Sequence, residues 1–220
     1  MDWTAVSLTL RLAASTTAIL LALGAPLAYW LATTRWRGRF LIEALVSLPI
    51  VLPPTVLGFY ILTAAGPQSP LGQVWESATG RMLPFTFEGI LLGSVLYNLP
   101  FAVRPFAAGF AGVDRRLVEA SWCLGVSRLG TFFRTTLPLS WPGVLSGVVL
   151  TFAHAVGEFG VVLMVGGNIP GVTRTLSIAI YDDVQALDYA SASFTALVLV
   201  VFSFLALSVT YALGRRHWPT

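Results

Sequence analysis

A chain of 220 residues that is 56% hydrophobic and 10% charged, with a mean hydropathy of +0.79, is far from a soluble domain, in which about a quarter of residues are charged. All 13 basic residues are arginine and none is lysine, which excludes a P-loop nucleotide site, whose lysine must reach the phosphates behind a glycine-rich turn. The net charge of +3 sits beside apolar segments and not among interleaved aromatics, which argues against nucleic-acid binding, while the lone Cys123 excludes an internal disulfide and has no neighbour at metal spacing.

At about 20 residues per crossing, the chain predicts one membrane domain over 1–220, an all-α polytopic bundle of about five spans. The first span, 7–33, holds an apolar run from Leu12 to Ala32 that is too long for a signal peptide and is followed by Arg35-Trp36-Arg37-Gly38-Arg39, a stop-transfer pattern. The second, 40–63, carries Pro49, Pro53 and Pro54; the third, 88–109, carries Asn98, Pro100, Arg104 and Pro105. Proline frees carbonyls that only bundle neighbours or water can satisfy in lipid, so both spans should be kinked and face the bundle, with Thr55 and Asn98 as polar candidates for a path.

The fourth predicted span, 142–165, holds His154 and Glu158, expected on one helix face at a four-residue spacing. Intramembrane ionisable groups are functional candidates by default. The pair reads as a packing or gating contact, a proton relay or half of a metal site, and no further His or Cys in a membrane segment is available to complete the last. No cofactor is expected, and no nucleophile motif points to an enzyme. The fifth span, 189–213, has neither charge nor proline and reads as scaffold.

Ten arginines (35, 37, 39, 104, 115, 116, 128, 134, 215, 216) fall on one side of these spans and three (11, 81, 174) on the other. The positive-inside rule then places the N-terminus outside and the C-terminus in the cytoplasm. Outer segments 64–87 and 166–188 remain, the latter with Asn168, Arg174 and an acidic turn at Asp182 and Asp183. A sixth span would require part of 166–188 to re-enter the membrane. The inner segment 110–141 mixes charge with aliphatics and predicts short amphipathic helices.

Within that inner segment, Glu119-Ala120-Ser121-Trp122-Cys123-Leu124-Gly125 followed by Leu137-Pro138 resembles the cytoplasmic coupling loop of ABC importer permeases: acid, two small residues, glycine six positions on, then Leu-Pro. Ser121 and Thr135 depart from the usual alanine and aliphatic residue. The resemblance implies a type I importer permease fold and a short helix, a glycine turn and a second helix ended by proline. It also implies that the loop docks into a separate ATPase subunit, present in two copies. Small Ala120 and Ser121 would let the helix seat closely, Gly125 would turn the chain, and Glu119 would cap the helix or pair with the ATPase.

Leu48-Pro49-Ile50-Val51-Leu52-Pro53-Pro54-Thr55-Val56, Gly157-Glu158-Phe159-Gly160 and Asn168-Ile169-Pro170-Gly171 with Thr173-Arg174-Thr175 resemble the permeases of molybdate importers over nearly the whole chain. Sulfate and thiosulfate permeases share the Gly-Glu-aromatic-Gly stretch. This resemblance implies a homodimeric permease in the inner membrane, supplied with the oxyanion by an external binding protein.

Overall fold

The computed structural model describes residues 2–215, and Arg216 of the arginine count lies outside them. Helix α1 (Trp3–Thr33) crosses the fold in one piece, its first N–H groups held by the Asp2 carboxylate at 2.9 Å from Thr4 and 3.1 Å from Ala5. It widens into a π turn over Leu20–Gly24 just before Pro26. A proline ring clashes with the carbonyl four residues back; here that carbonyl belongs to Ala22, inside the π turn, where bonding is displaced by one residue. The helix therefore continues through its proline.

The second predicted span is not continuous. α2 (Arg39–Val51) and α3 (Pro54–Ala64) meet at 111°. The residue before a proline is driven out of the helical region, and two consecutive prolines do this twice: Leu52 and Pro53 are both extended, with ψ of 137° and 135°. Outside the bundle, α4 (Pro70–Thr79) is capped by Ser69 and stopped by the left-handed Gly80. α5 (Phe87–Ala111) then crosses in one piece, containing Pro100 and Pro105.

The short helix α6 (Arg115–Cys123) leads into α7 (Arg128–Val156), which begins at 128 and not 142, and ends at 156 and not 165. Pro138 does not end the inner helix, as the motif suggested. A second π turn, Phe132–Thr136, encloses the Arg134 carbonyl that the ring would meet, the same device as at Pro26. After a break at 157–159 come α8 (Gly160–Gly166), α9 (Leu176–Gln185) and α10 (Tyr189–Arg215). Counting the bent α2–α3 pair as one, the described residues hold up to five spans. Segment 166–188 supplies a loop and the ten-residue α9, too short to cross.

α5 is the central helix, packed by α1, α2, α7 and α8. Its C-terminal half contributes Val103, Phe106 and Phe110 to a cluster with Leu20, Leu31 and Val144, and its N-terminal half contributes Ile90 to a second with Leu12, Val162 and Ile178. The α5–α7 crossing depends on glycine: a Cβ on Gly143 would stand 2.6 Å from the Gly109 Cα, and one on Gly147 would overlap the Phe106 ring. Such close approach adds dispersion contacts where lipid supplies no hydrophobic drive. α10 exposes Leu197, Val200, Phe204 and Leu205, the surface of a helix facing hydrocarbon.

Candidate translocation and coupling site

The breaks at 52–53 and 157–159 lie together in the bundle. Gly160 abuts Pro54, where an added Cβ would stand 2.7 Å from the proline Cβ, and Gly58 meets Met164 as closely. Irregular backbone at membrane depth survives only against protein or water; here the segments after the two breaks pack on each other through Pro54 and Gly160, while Pro53 and Gly157 stay exposed.

Glu158 enters this junction only 4% exposed. Its Oε2 accepts from Ser94 Oγ at 2.7 Å and from Asn98 Nδ2 at 2.8 Å, while Oε1 is buried without a partner among the described residues. Asn98 Nδ2 also donates to the Ser94 carbonyl at 2.8 Å, and Asn98 Oδ1 stands 2.9 Å from His154 Nδ1. Two acceptors around Nδ2 fix the amide orientation, so the oxygen faces the imidazole and Nδ1 carries the proton. The His154 ring stacks on Phe101 at 3.8 Å.

His154 and Glu158 are therefore no helix-face pair. α7 ends at Val156, Gly157 caps it, and the two side chains meet only through Asn98. Thr55 stands apart, exposed on the first turn of α3. Ser94 was missing from the sequence reading, although its place one helical turn before Asn98 on the same face was a usable signal.

At the end of the bundle where α5 leads into α6, Asp114 and not Glu119 caps α6, accepting from the Arg116 N–H at 2.8 Å. Glu119 pairs instead with Arg115, one turn back, at 2.8 Å. Ser121 faces inward, its hydroxyl 2.9 Å from that of Thr131. Leu117, Ala120 and Leu124, at i, i+3 and i+7, form an exposed stripe, with Leu124 83% exposed. Gly125 closes the helix at φ +78°, with its N–H on the Trp122 carbonyl and that of Val126 on Ser121, the paired bonds of a Schellman cap. Leu137 and Pro138 lie past the π turn, in α7.

At the opposite end, Asn168 Nδ2 donates to both Asp182 oxygens, at 2.7 and 2.8 Å, and Arg174 Nε donates to Asn168 Oδ1 at 2.7 Å. Arg174 also pairs with Asp182 at 3.3 Å. Asp182 is thus engaged rather than a solvated turn residue, and the Arg174 charge is spent within the fold. Thr9 of α1 supplies the cap α9 lacks, its hydroxyl accepting from the buried Leu176 N–H at 2.9 Å. Thr9→Val orphans that N–H at a cost of about 1 kcal/mol, an expected fall of about 2–4 °C in melting temperature measurable by tryptophan fluorescence in detergent.

Residues 10–218 match the family described as binding-protein-dependent transport system inner membrane component. The chain belongs to this family. It is 48% identical over 214 residues to the molybdenum transport system permease protein ModB of Azotobacter vinelandii, covering 97% of this chain and 95% of that one. It is 42% identical over 202 residues to a probable molybdenum ABC transporter permease protein of Haloferax volcanii, covering 92% and 72%. Among solved structures, a bacterial alginate ABC transporter in complex with an alginate-pentasaccharide-bound periplasmic protein superimposes with a TM-score of 0.74 at 16% identity, over 97% of this chain and 78% of that one; at that identity the likeness is one of fold. Membership makes this chain a multi-pass membrane transport subunit and gives the exposed α6 stripe a physical context.

Proposed function

We propose that this chain is the permease of a binding-protein-dependent importer that brings molybdate into the cytoplasm, working as a homodimer on two separate ATPase subunits. The observation that carries the reading is 48% identity spread over 97% of the chain, which includes the helix breaks, the α6 turn and the outer Asn168–Arg174 loop. The absence of lysine supports assigning ATP hydrolysis to another subunit. Arginine asymmetry supports an outside N-terminus and a cytoplasmic C-terminus, which puts α6 at the cytoplasmic face and Asp2, Asn168 and Arg174 at the outer one.

In this reading, closure of the ATPases on ATP draws the two α6 helices together and opens the path outward, and loss of hydrolysis products reverses it. The Ser94–Asn98–Glu158–His154 cluster ties the broken segments to α5 and acts as the joint about which they move. Thr55, exposed beside the break, is the polar group offered to the path. Selectivity resides in the binding protein, since a tight site in the permease would slow release.

Uptake of radiolabelled molybdate into proteoliposomes holding this chain, its ATPase and its binding protein is expected to require ATP and to be blocked by excess tungstate but not sulfate. Block by sulfate would move the substrate to that oxyanion, and uptake indifferent to ATP would remove the importer reading.

A further inference from the structure

Between the inner end of α1 and α2, over a floor provided by α5, lies an open groove of about 370 Å³, within the range of small-ligand sites. Its floor is shallow-sided because α5 presents Ala107, Ala108 and Ala111 there, and Leu31 and Val46 form its walls. Arg39, Glu43, Ser47 and Arg104 stand at its polar rim. The rim holds one carboxylate and two guanidiniums: Glu43 pairs with Arg39 at 3.6 Å, while Arg104 uses Nε on Ser47 Oγ at 3.2 Å. Among the described residues Arg104 has no ion-pair partner, so its terminal nitrogens present a fork of the geometry that suits phosphate oxygens.

We propose that this groove binds the headgroup of an anionic phospholipid, its phosphodiester on Arg104 and Arg39 and its glycerol and first methylenes along the alanine floor. The charge balance favours a singly charged ligand: two guanidiniums less one carboxylate leave one positive charge. The apolar floor favours an amphiphile over a free oxyanion, which would gain nothing from an alanine floor between leucine and valine walls and would lose hydration against them. Basic pockets between spans are the general form of headgroup sites on the cytoplasmic side. The exposed Phe40, Leu41 and Leu45 on α2 supply an apolar surface along which acyl chains can continue. Assignment to the cytoplasmic leaflet rests on the orientation proposed above; binding itself does not.

The test is native mass spectrometry of the full chain with its ATPase, released from detergent containing phosphatidylglycerol, phosphatidylcholine or inorganic phosphate. One phosphatidylglycerol retained per permease chain is expected, with about a tenfold preference over phosphatidylcholine. Losing a hydrogen bond to a charged group weakens binding by about tenfold or more, so Arg104→Gln should lower retention by that factor and Arg104→Lys should recover part of it. Ala108→Phe, which fills the floor and leaves both arginines in place, should lower retention as far. Equal retention of the two lipids, or full retention by Arg104→Gln, overturns the proposal. Displacement by inorganic phosphate with Ala108→Phe unaffected would make the site one for free oxyanions instead. Because lipid retention is read without transport, failure of molybdate uptake with retention intact would strike the proposed function and leave this site standing.

Discussion

Asn98→Leu is expected to be the most destabilising single substitution in the membrane interior, lowering the melting temperature by about 10 °C. Asn98 is fully buried and makes contacts on both sides of its amide. Leucine has similar bulk, so the loss comes from the polar groups it strands. His154 Nδ1–H loses its acceptor, and Glu158 Oε2 keeps only Ser94, with Oε1 already unpartnered. A buried polar group left without its partner costs about 1–3 kcal/mol, and more for a charged one, giving about 3–4 kcal/mol here; at about 2–4 °C per kcal/mol for a chain of this size, that is the stated shift. Glu158→Gln retains an acceptor for Ser94 and Asn98 and should cost less. His154→Ala gives up one hydrogen bond and the Phe101 stack and should fall between them. Melting in detergent, followed by tryptophan fluorescence, ranks the three. An Asn98→Leu protein melting within about 2 °C of the parent would show that the cluster does not hold the broken helices to α5.

The same cluster shows what the sequence could and could not convey. Hydropathy located the membrane segments, and the paired Pro53 and Pro54 announced a disruption, because a proline's effect on the residue before it is local. Whether a proline breaks or is absorbed is not local. Pro26 and Pro138 are both passed by a π turn, which the residues around them do not announce. The start of α7 was hidden for a related reason: Arg128 to Thr136 is polar enough to read as loop, yet it forms the first turns of a helix whose apolar part starts later. Glu158 was found as an intramembrane acid, but its partner was assigned by spacing along α7, and a helix that ends at Val156 carries no such spacing past its end. The cap of α6 is Asp114 and not Glu119: the motif draws attention to the acid inside it, although an Asp immediately ahead of a short helix is the better cap.

Leu124→Glu is expected to abolish coupling while leaving the fold intact. Leu124 lies at the end of the exposed Leu117–Ala120–Leu124 stripe, and α6 contributes no residue to the buried core, so its substitution should not move the melting temperature. If the stripe seats in the ATPase, loss of an apolar anchor costs 2 kcal/mol or more, about a thirtyfold loss of affinity, and burying the new carboxylate adds to it. Co-purified ATPase and ATP-dependent molybdate uptake should then fall together. Gly125→Val tests the turn separately. The space around a Cβ there is open, so any effect arises from the left-handed backbone, at about 1–2 kcal/mol for a residue with a Cβ, and should amount to about a tenfold loss. Gly125→Asn, which tolerates that conformation, should recover most of it. Cys123→Ser, exposed on the same helix but off the stripe, is the control that should change neither readout. Full retention of the ATPase by Leu124→Glu would place the docking surface elsewhere on the cytoplasmic face, whereas a loss with Gly125→Val alone would mean that the direction of the turn, and not the apolar stripe, transmits the stroke.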